Sequence, residues 1–252
     1  MKLDQIVECI EGLFETTSNP NFKAESGVTV DSSKDIKTVG YCTNLTLEVI
    51  EKAKLNSVDL IITHHNAWGF IYGLSAACTE KLQEYEISHY YNHLPLDDCD
   101  FGTNDTLLER LNLKIIEKTH EEDGFFCGRV AEFDEAIEFS ELVSKLETLL
   151  EEPVKAWQFN DRKVKRIGLV CGGGGLTPHL KIGVDKGCDV YITGEKILYT
   201  IEYAQHVNMS LIIGSHTFTE TLGVESLVVK LKERLETLEV VKIEERHLEA
   251  IG

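Results

Sequence analysis

Two periods alternate along the chain. Short runs of β-branched and other apolar residues recur between segments whose apolar positions fall three or four residues apart, which is the pattern of a layered α/β fold. Ile6, Val7, Ile10 and Phe14 predict a helix over residues 3 to 14, and TLEVIEKAK predicts another over 46 to 54, capped by Thr43 or Asn44. VDLIIT, residues 58 to 63, reads as a buried strand. A helix over 76 to 84, a strand over 86 to 91 and a helix from Asp105 to Leu111 complete a first half.

The alternation then repeats. FFCGRVAEF predicts a strand, EFSELVSKLETLLEE a helix, and VKAWQF and KVKRIGLV two strands that lead into a glycine turn. LTPHLKIGVDKG is a helix ending at Gly187, DVYIT a strand, EKILYTIEYAQHV a helix and LIIG the last core strand. Val224, Leu227, Val228, Leu231 and Leu235 mark a long amphipathic helix from Glu220 to Leu235. The polar stretch THEEDGF, residues 119 to 125, reads as the join between two similar α/β halves, residues 1–122 and 123–252.

Composition narrows the function classes. A chain of 252 residues with 42% apolar content can bury one sizeable core or two compact ones. No run approaches the roughly 18 apolar residues of a membrane helix, and MKLDQIVECIEGLF carries acids where a secretory signal needs apolar residues. A cytoplasmic protein without a membrane partner is expected. The net charge of −18 and the lack of a basic patch argue against nucleic acid. Seven cysteines without a CxxC spacing fit reduced core residues rather than a disulfide framework or zinc ribbon, and Cys171, beside the glycines, is the one to test for reactivity.

Candidate chemistry gathers at predicted strand ends, where open α/β sheets place their ligands. His64 and His65 follow VDLIIT directly, and adjacent side chains on extended backbone diverge, which suits one imidazole on each of two ions about 3.5–4 Å apart. Asp97 lies past a short strand on a loop that Pro95 helps to fix. It can also be a turn cap. His216 and Glu220 are four apart after LIIG, so a helix starting near Ser215 puts them on one face. Imidazole and carboxylate donors without cysteine suit Zn, Fe or Mn, and Glu220 can bridge two ions.

Other residues stand beside this set with two readings each. The amides of Gly173 and Gly174, within CGGGG, can cradle an anion at a helix terminus, or the glycines can form a plain tight turn. Glu195 can act as a base near the metals or only favour the first turn of a helix. His93 can transfer protons or orient a neighbour, or it can be a satisfied core histidine. Trp68, Phe70 and Tyr72 can stack on a base or serve packing.

VDLIITHHNAW, HLPLDDCDFGTNDTLLERL, IGLVCGGGG, CDVYITGE and GSHTFTE together resemble the Nif-three-like dinuclear metal centre proteins, the GTP cyclohydrolase I type 2 homologues, over nearly the whole chain. The resemblance implies five metal ligands, falling on His64, His65, Asp97, His216 and Glu220, and two divalent ions in a cleft between intimately packed three-layer halves. It implies a metal-dependent hydrolase acting on a small-molecule nucleotide such as GTP, and a toroidal homohexamer. A non-catalytic metal carrier or regulatory scaffold would use the same ligands. Two departures from the family pattern, Asn66 in place of proline and Ser215 in place of glycine, touch the walls of the site. There is no room for the extra domain that many relatives carry between the halves.

Overall fold

The computed structural model describes residues 1–249, and the chain forms two α/β units. The first takes in residues 1–102 and 223–246. Its elements are α1 (Leu3–Glu11), a 3-10 turn (Glu15–Ser18), α2 (Phe22–Glu25), β1 (Ser26–Val30), β2 (Thr38–Asn44), α3 (Leu47–Leu55), β3 (Leu60–His65), α4 (Leu74–Tyr85), β4 (Ser88–Asn92) and α5 (Leu94–Asp98). The second begins with α6 (Thr103–Arg110), β5 (Lys114–Glu122), β6 (Phe125–Ile137), α7 (Phe139–Leu150), β7 (Lys155–Trp157) and β8 (Val164–Val170). It continues through α8 (Thr177–Asp185), β9 (Val190–Thr193), α9 (Leu198–His206) and β10 (Ser210–Ile213). Helix α10 (His216–Arg234) starts in the second unit and ends in the first, which β11 (Glu239–Lys242) completes.

The first unit's sheet runs β1-β4-β3-β2-β11, and only β1 is antiparallel to its neighbour. A parallel strand covered on both faces reads as one apolar run, and all six residues of β3 are buried. Val49, Ile50 and Ala53 of α3 and Cys78 and Leu82 of α4 join Ile61 and Cys42 in one core cluster. Helix α3 is capped by Thr46, whose side chain accepts from Val49 N, instead of by the expected Thr43 or Asn44. Asn44 stands opposite His65 in the register. The parallel strands therefore deliver Asn44, His64, His65 and Asn92 to one edge of the sheet, with His93 directly after.

The second unit's sheet runs β5-β6-β8-β9-β10-β7, with a parallel centre of β8, β9 and β10. The carboxyl ends of those three strands lead into Cys171–Gly175, Gly194–Glu195 and Gly214–His216, so a second set of polar residues collects at one sheet edge. Leu142, Leu146 and Leu150 of α7 pack with Ile167, Leu169 and Ile192 in its core.

The division expected at 122/123 lies elsewhere. β5 pairs with β6 across Asp123 and Gly124, both at positive φ (50° and 82°), so THEEDGF is the tip of a hairpin inside one sheet. The expected helix of residues 3–14 stops at Glu11, and the one expected from residue 195 starts at Leu198. Among the described residues no helix is long and apolar enough to cross a membrane.

Candidate metal centre

In the first unit His64, His65 and His93 form a cluster in which one ring nitrogen from each lies within 4.8 Å of the others. The rings are tilted, with centroids 4.5 Å apart for His64 and His65 and 5.1 and 5.3 Å from these to His93. Each ring is held by its Nδ1. His64 Nδ1 stands 2.9 Å from the Asn92 carbonyl, which can only accept, so this nitrogen carries the proton. His65 Nδ1 is 2.9 Å from Asn44 Oδ1, and the Asn44 amide is oriented by its own Nδ2 donating to Glu245 Oε1 at 2.9 Å. His93 Nδ1 is 2.7 Å from Glu25 Oε2, and that hydrogen bond holds Glu25 below the usual carboxylate range against the opposing effect of burial. A neutral imidazole that donates from Nδ1 has its lone pair on Nε2.

Asp97 belongs to this unit. It sits in the short helix α5, with Pro95 in the first turn, where a loop was expected. Its Oδ1 is 3.5 Å from His64 Nε2, the nitrogen that the tautomer argument leaves unprotonated.

In the second unit α10 begins at His216, which places His216 and Glu220 one turn apart on one face. Ser215 caps the helix: its Oγ accepts from Phe218 N at 3.1 Å and donates to Glu152 Oε1 at 2.7 Å. This is a use for the serine at a position where the resemblance led to an expectation of glycine. His216 Nε2 lies 3.3 Å from Glu220 Oε1, and His216 Nδ1 lies 2.6 Å from Glu195 Oε1. Burial opposes a charge on His216, yet the carboxylates of Glu220 and Glu195 outweigh it and lift the imidazole to about 11. Glu195 is pulled below its ordinary value, chiefly by the same hydrogen bond. It stands in the loop before α9, not in the first turn of a helix.

The glycine turn packs against that pair. Gly172 has φ +63°, and a Cβ built there would stand 1.8 Å from Glu220 Oε1 and 2.8 Å from His216 Nε2. Its amide donates to Thr219 Oγ1 at 3.0 Å. Gly174 N–H donates to Gly172 O at 3.0 Å, so it is spent inside a tight turn instead of facing an anion. Gly173 is exposed, and its Cβ would stand 3.8 Å from His216 Cε1. Cys171 is buried beside this turn, which removes the exposure that a reactive thiol needs.

Sequence reasoning missed the groups that orient the imidazoles. Glu25, Asn44 and Glu245 are remote in the chain and carry no motif. Asn104 and Asp105, inside the GTND segment, have a structural use: Asn104 Oδ1 accepts from Cys171 N at 3.0 Å, and Asp105 Oδ1 pairs with the fully buried Arg129 at 2.5 Å.

The sequence pattern of the Duf34/NIF3 (NGG1p interacting factor 3) family matches residues 1–248. A Pyrococcus horikoshii protein named GTP cyclohydrolase 1 type 2 homolog is 34% identical over 240 residues, covering 93% of this chain and 94% of that one. A Methanocaldococcus jannaschii protein of the same name is 27% identical over 256 residues, covering 97% and 100%. Among solved structures, protein ybgI, described as of unknown function, superposes with a TM-score of 0.86 at 20% identity over 98% of this chain and 99% of that one. Reduced HcgD from Methanocaldococcus jannaschii does so with a TM-score of 0.79 at 25% identity over 97% and 98%. The first of these shares the fold. With the match spanning all but the last few residues, the chain belongs to the Duf34/NIF3 family.

Proposed function

We propose that the protein binds two divalent metal ions, with His64, His65, Asp97, His216 and Glu220 as the ligands, and that it hydrolyses a nucleotide with them. One observation carries this reading. His64 and His65 each set Nδ1 against an oxygen, the Asn92 carbonyl and Asn44 Oδ1, which puts the lone pair on Nε2. His216 sets its Nδ1 against Glu195 in the same way, so that giving up the proton its carboxylates hold on Nε2 would make it a third such donor. Metal-binding imidazoles are oriented in this way, by a carbonyl, amide or carboxylate on the far nitrogen. The donor set of imidazole and carboxylate suits Zn, Fe or Mn. The two carboxylates that hold a proton on His216 also make its surroundings attractive to a cation.

When bound, two such ions supply Lewis acidity and bring the pKa of a water towards about 7. The chain's own residues do the remaining work. Glu195 fixes the His216 ring, and His93, anchored on Glu25, is placed to hold or move a proton beside His64 and His65. The name shared by the relatives makes GTP the substrate to try, with one water adding at the ring carbon of its imidazole and opening the ring to a formamide, and a second water cleaving that formamide to formate and a free amine. We also propose a homohexamer, as the family resemblance implies.

The test compares wild type with Glu220→Gln, each loaded with Zn, Mn or Fe(II), for bound metal, GTP consumption and formate. The expected result is two ions per chain and turnover in wild type, with turnover lost in the variant. A folded wild type that keeps no metal would overturn the centre. Two tightly held ions without turnover would leave a carrier or scaffold protein in place of a hydrolase. Light scattering on the same sample should give about six times the 28.4 kDa protomer mass, and a monomer would sink the hexamer.

A further inference from the structure

Beside the histidine cluster of the first unit lies a pocket of about 190 Å³, lined by His65, Asn66, Ala67, Trp68, Gly69, Tyr91 and His93. Four of these seven residues carry flat rings. The Trp68 indole lies against His65, with centroids 4.3 Å apart at 38°, and Phe70 lies against Trp68 at 5.1 Å and 33°. The Tyr91 hydroxyl donates to the Ala24 carbonyl at 2.8 Å, so its polar end is already engaged. The pocket is smaller than the roughly 300 Å³ at which drug-sized sites begin, which fits one ring system and not a whole nucleotide.

The segment that supplies Trp68 continues as Phe70, Ile71 and Tyr72, which are 72%, 48% and 99% exposed. Large apolar side chains held in water in a row cost solvation free energy that a purely structural loop would avoid. Trp68 comes three residues after His65, where the strand that carries His64 and His65 ends, and its ring lies against the His65 imidazole.

We propose that this pocket is a subsite for a planar nitrogen heteroaromatic ring, stacked on Trp68 and presented to the His64–His65–His93 cluster. Stacking suits such a ring because a heteroaromatic has the π face that an indole prefers and polar edge atoms that the neighbouring imidazole of His93 and amide of Asn66 can meet. The proposal rests on the metal reading only for what the ring is delivered to; the stacking itself needs no ion.

The chain has two tryptophans, Trp68 and Trp157, so a Trp157→Phe protein reports on Trp68 alone. Its emission is followed while guanosine is added, with ribose 5-phosphate as a ringless control, in metal-loaded and chelator-treated samples. Saturable quenching by guanosine in both samples, and none by ribose 5-phosphate, is the expected result. In wild-type background, guanosine affinity measured by calorimetry should fall roughly five- to 150-fold in Trp68→Leu and remain within a few-fold in Trp68→Phe, with metal content equal in all three. Absence of saturable quenching in folded, metal-loaded protein would overturn the subsite while leaving the metal centre standing, as would unchanged affinity in Trp68→Leu. Loss of bound metal with quenching intact would strike the centre and spare the subsite. Trp68 emission that ignores guanosine but changes with protein concentration would assign the aromatic segment to contacts between copies and reject the proposal.

Discussion

Gly172 shows how much one hydrogen atom can matter. Its φ of +63° already favours glycine, and its missing side chain is the space that Glu220 Oε1 fills, 1.8 Å from where a Cβ would stand. Glu220 is carried by α10, whose Thr219 accepts the Gly172 amide, so making room falls to the Glu220 side chain, and swinging it away takes its carboxylate out of its place beside His216. Gly172→Ala should therefore lose about 1–2 kcal/mol from the left-handed conformation alone and should also displace the two α10 ligands. Gly173→Ala tests the argument one position on, where a Cβ meets only an ordinary 3.8 Å contact with His216 Cε1. Metal titrations should show affinity falling by at least about tenfold in Gly172→Ala and staying near wild type in Gly173→Ala. Equal affinities in the two variants would show that the close approach has no consequence for the site.

At the scale of elements, the helices with a clean apolar stripe and the buried parallel strands were legible in the sequence because their period is local. β3 and the strand that ends at Ile213 are short apolar runs that lead to candidate ligands, and those that end at Val170 and Thr193 lead to the glycine turn and Glu195, so the candidate site was largely legible before the fold was known. The strands that escaped reading lie at sheet edges or take meaning from remote partners. β5 alternates exposed and partly buried positions and looks like a charged linker until it pairs with β6, although Asp123-Gly124 was a hairpin signal in plain view. β11 is defined by its pairing with β2, about 200 residues earlier. Glu25, Asn44 and Glu245 were invisible for the same reason: their roles exist only in the folded register.

One inter-element contact makes a direct test. Arg129 on β6 is fully buried, and it donates to Asp105 at the start of α6 and to the carbonyls of Phe126 and Gly128 at 2.7 and 2.9 Å. Removing one partner of a buried ion pair leaves the other charge poorly compensated, at a cost of about 3–5 kcal/mol. Asp105→Ala should lose that much in chemical denaturation, and the double change Asp105→Leu with Arg129→Met should recover most of it. Losses in the double variant as large as the single one would place the energy in packing of α6 instead of in the uncompensated guanidinium.

The whole molecule carries 43 acids against 25 bases, so at neutral pH its charges repel, and protonating carboxylates towards its pI of about 4.9 should relieve that strain. His89 works against this relief. It is fully buried between Thr29 Oγ1 at 2.6 Å and Thr63 Oγ1 at 2.8 Å, and burial pushes its imidazole down to about 3 from an ordinary value near 6.5. Thr63 donates its hydroxyl proton to His65 O at 2.7 Å, so it accepts from His89 Nε2, and in the neutral ring that burial enforces Nδ1 is left to accept from Thr29. Because the folded state resists a proton that the unfolded state takes up readily, the contribution of His89 is fully present above pH 6.5. It declines as pH falls from there towards 3, at up to about 1.4 kcal/mol per pH unit. Denaturant titrations of chelator-treated protein should therefore show wild type losing stability between pH 6.5 and 5. His89→Gln, less stable at neutral pH, should show a flat or rising profile over the same range. Parallel acid limbs in the two proteins would mean that another group sets the acid sensitivity of the fold.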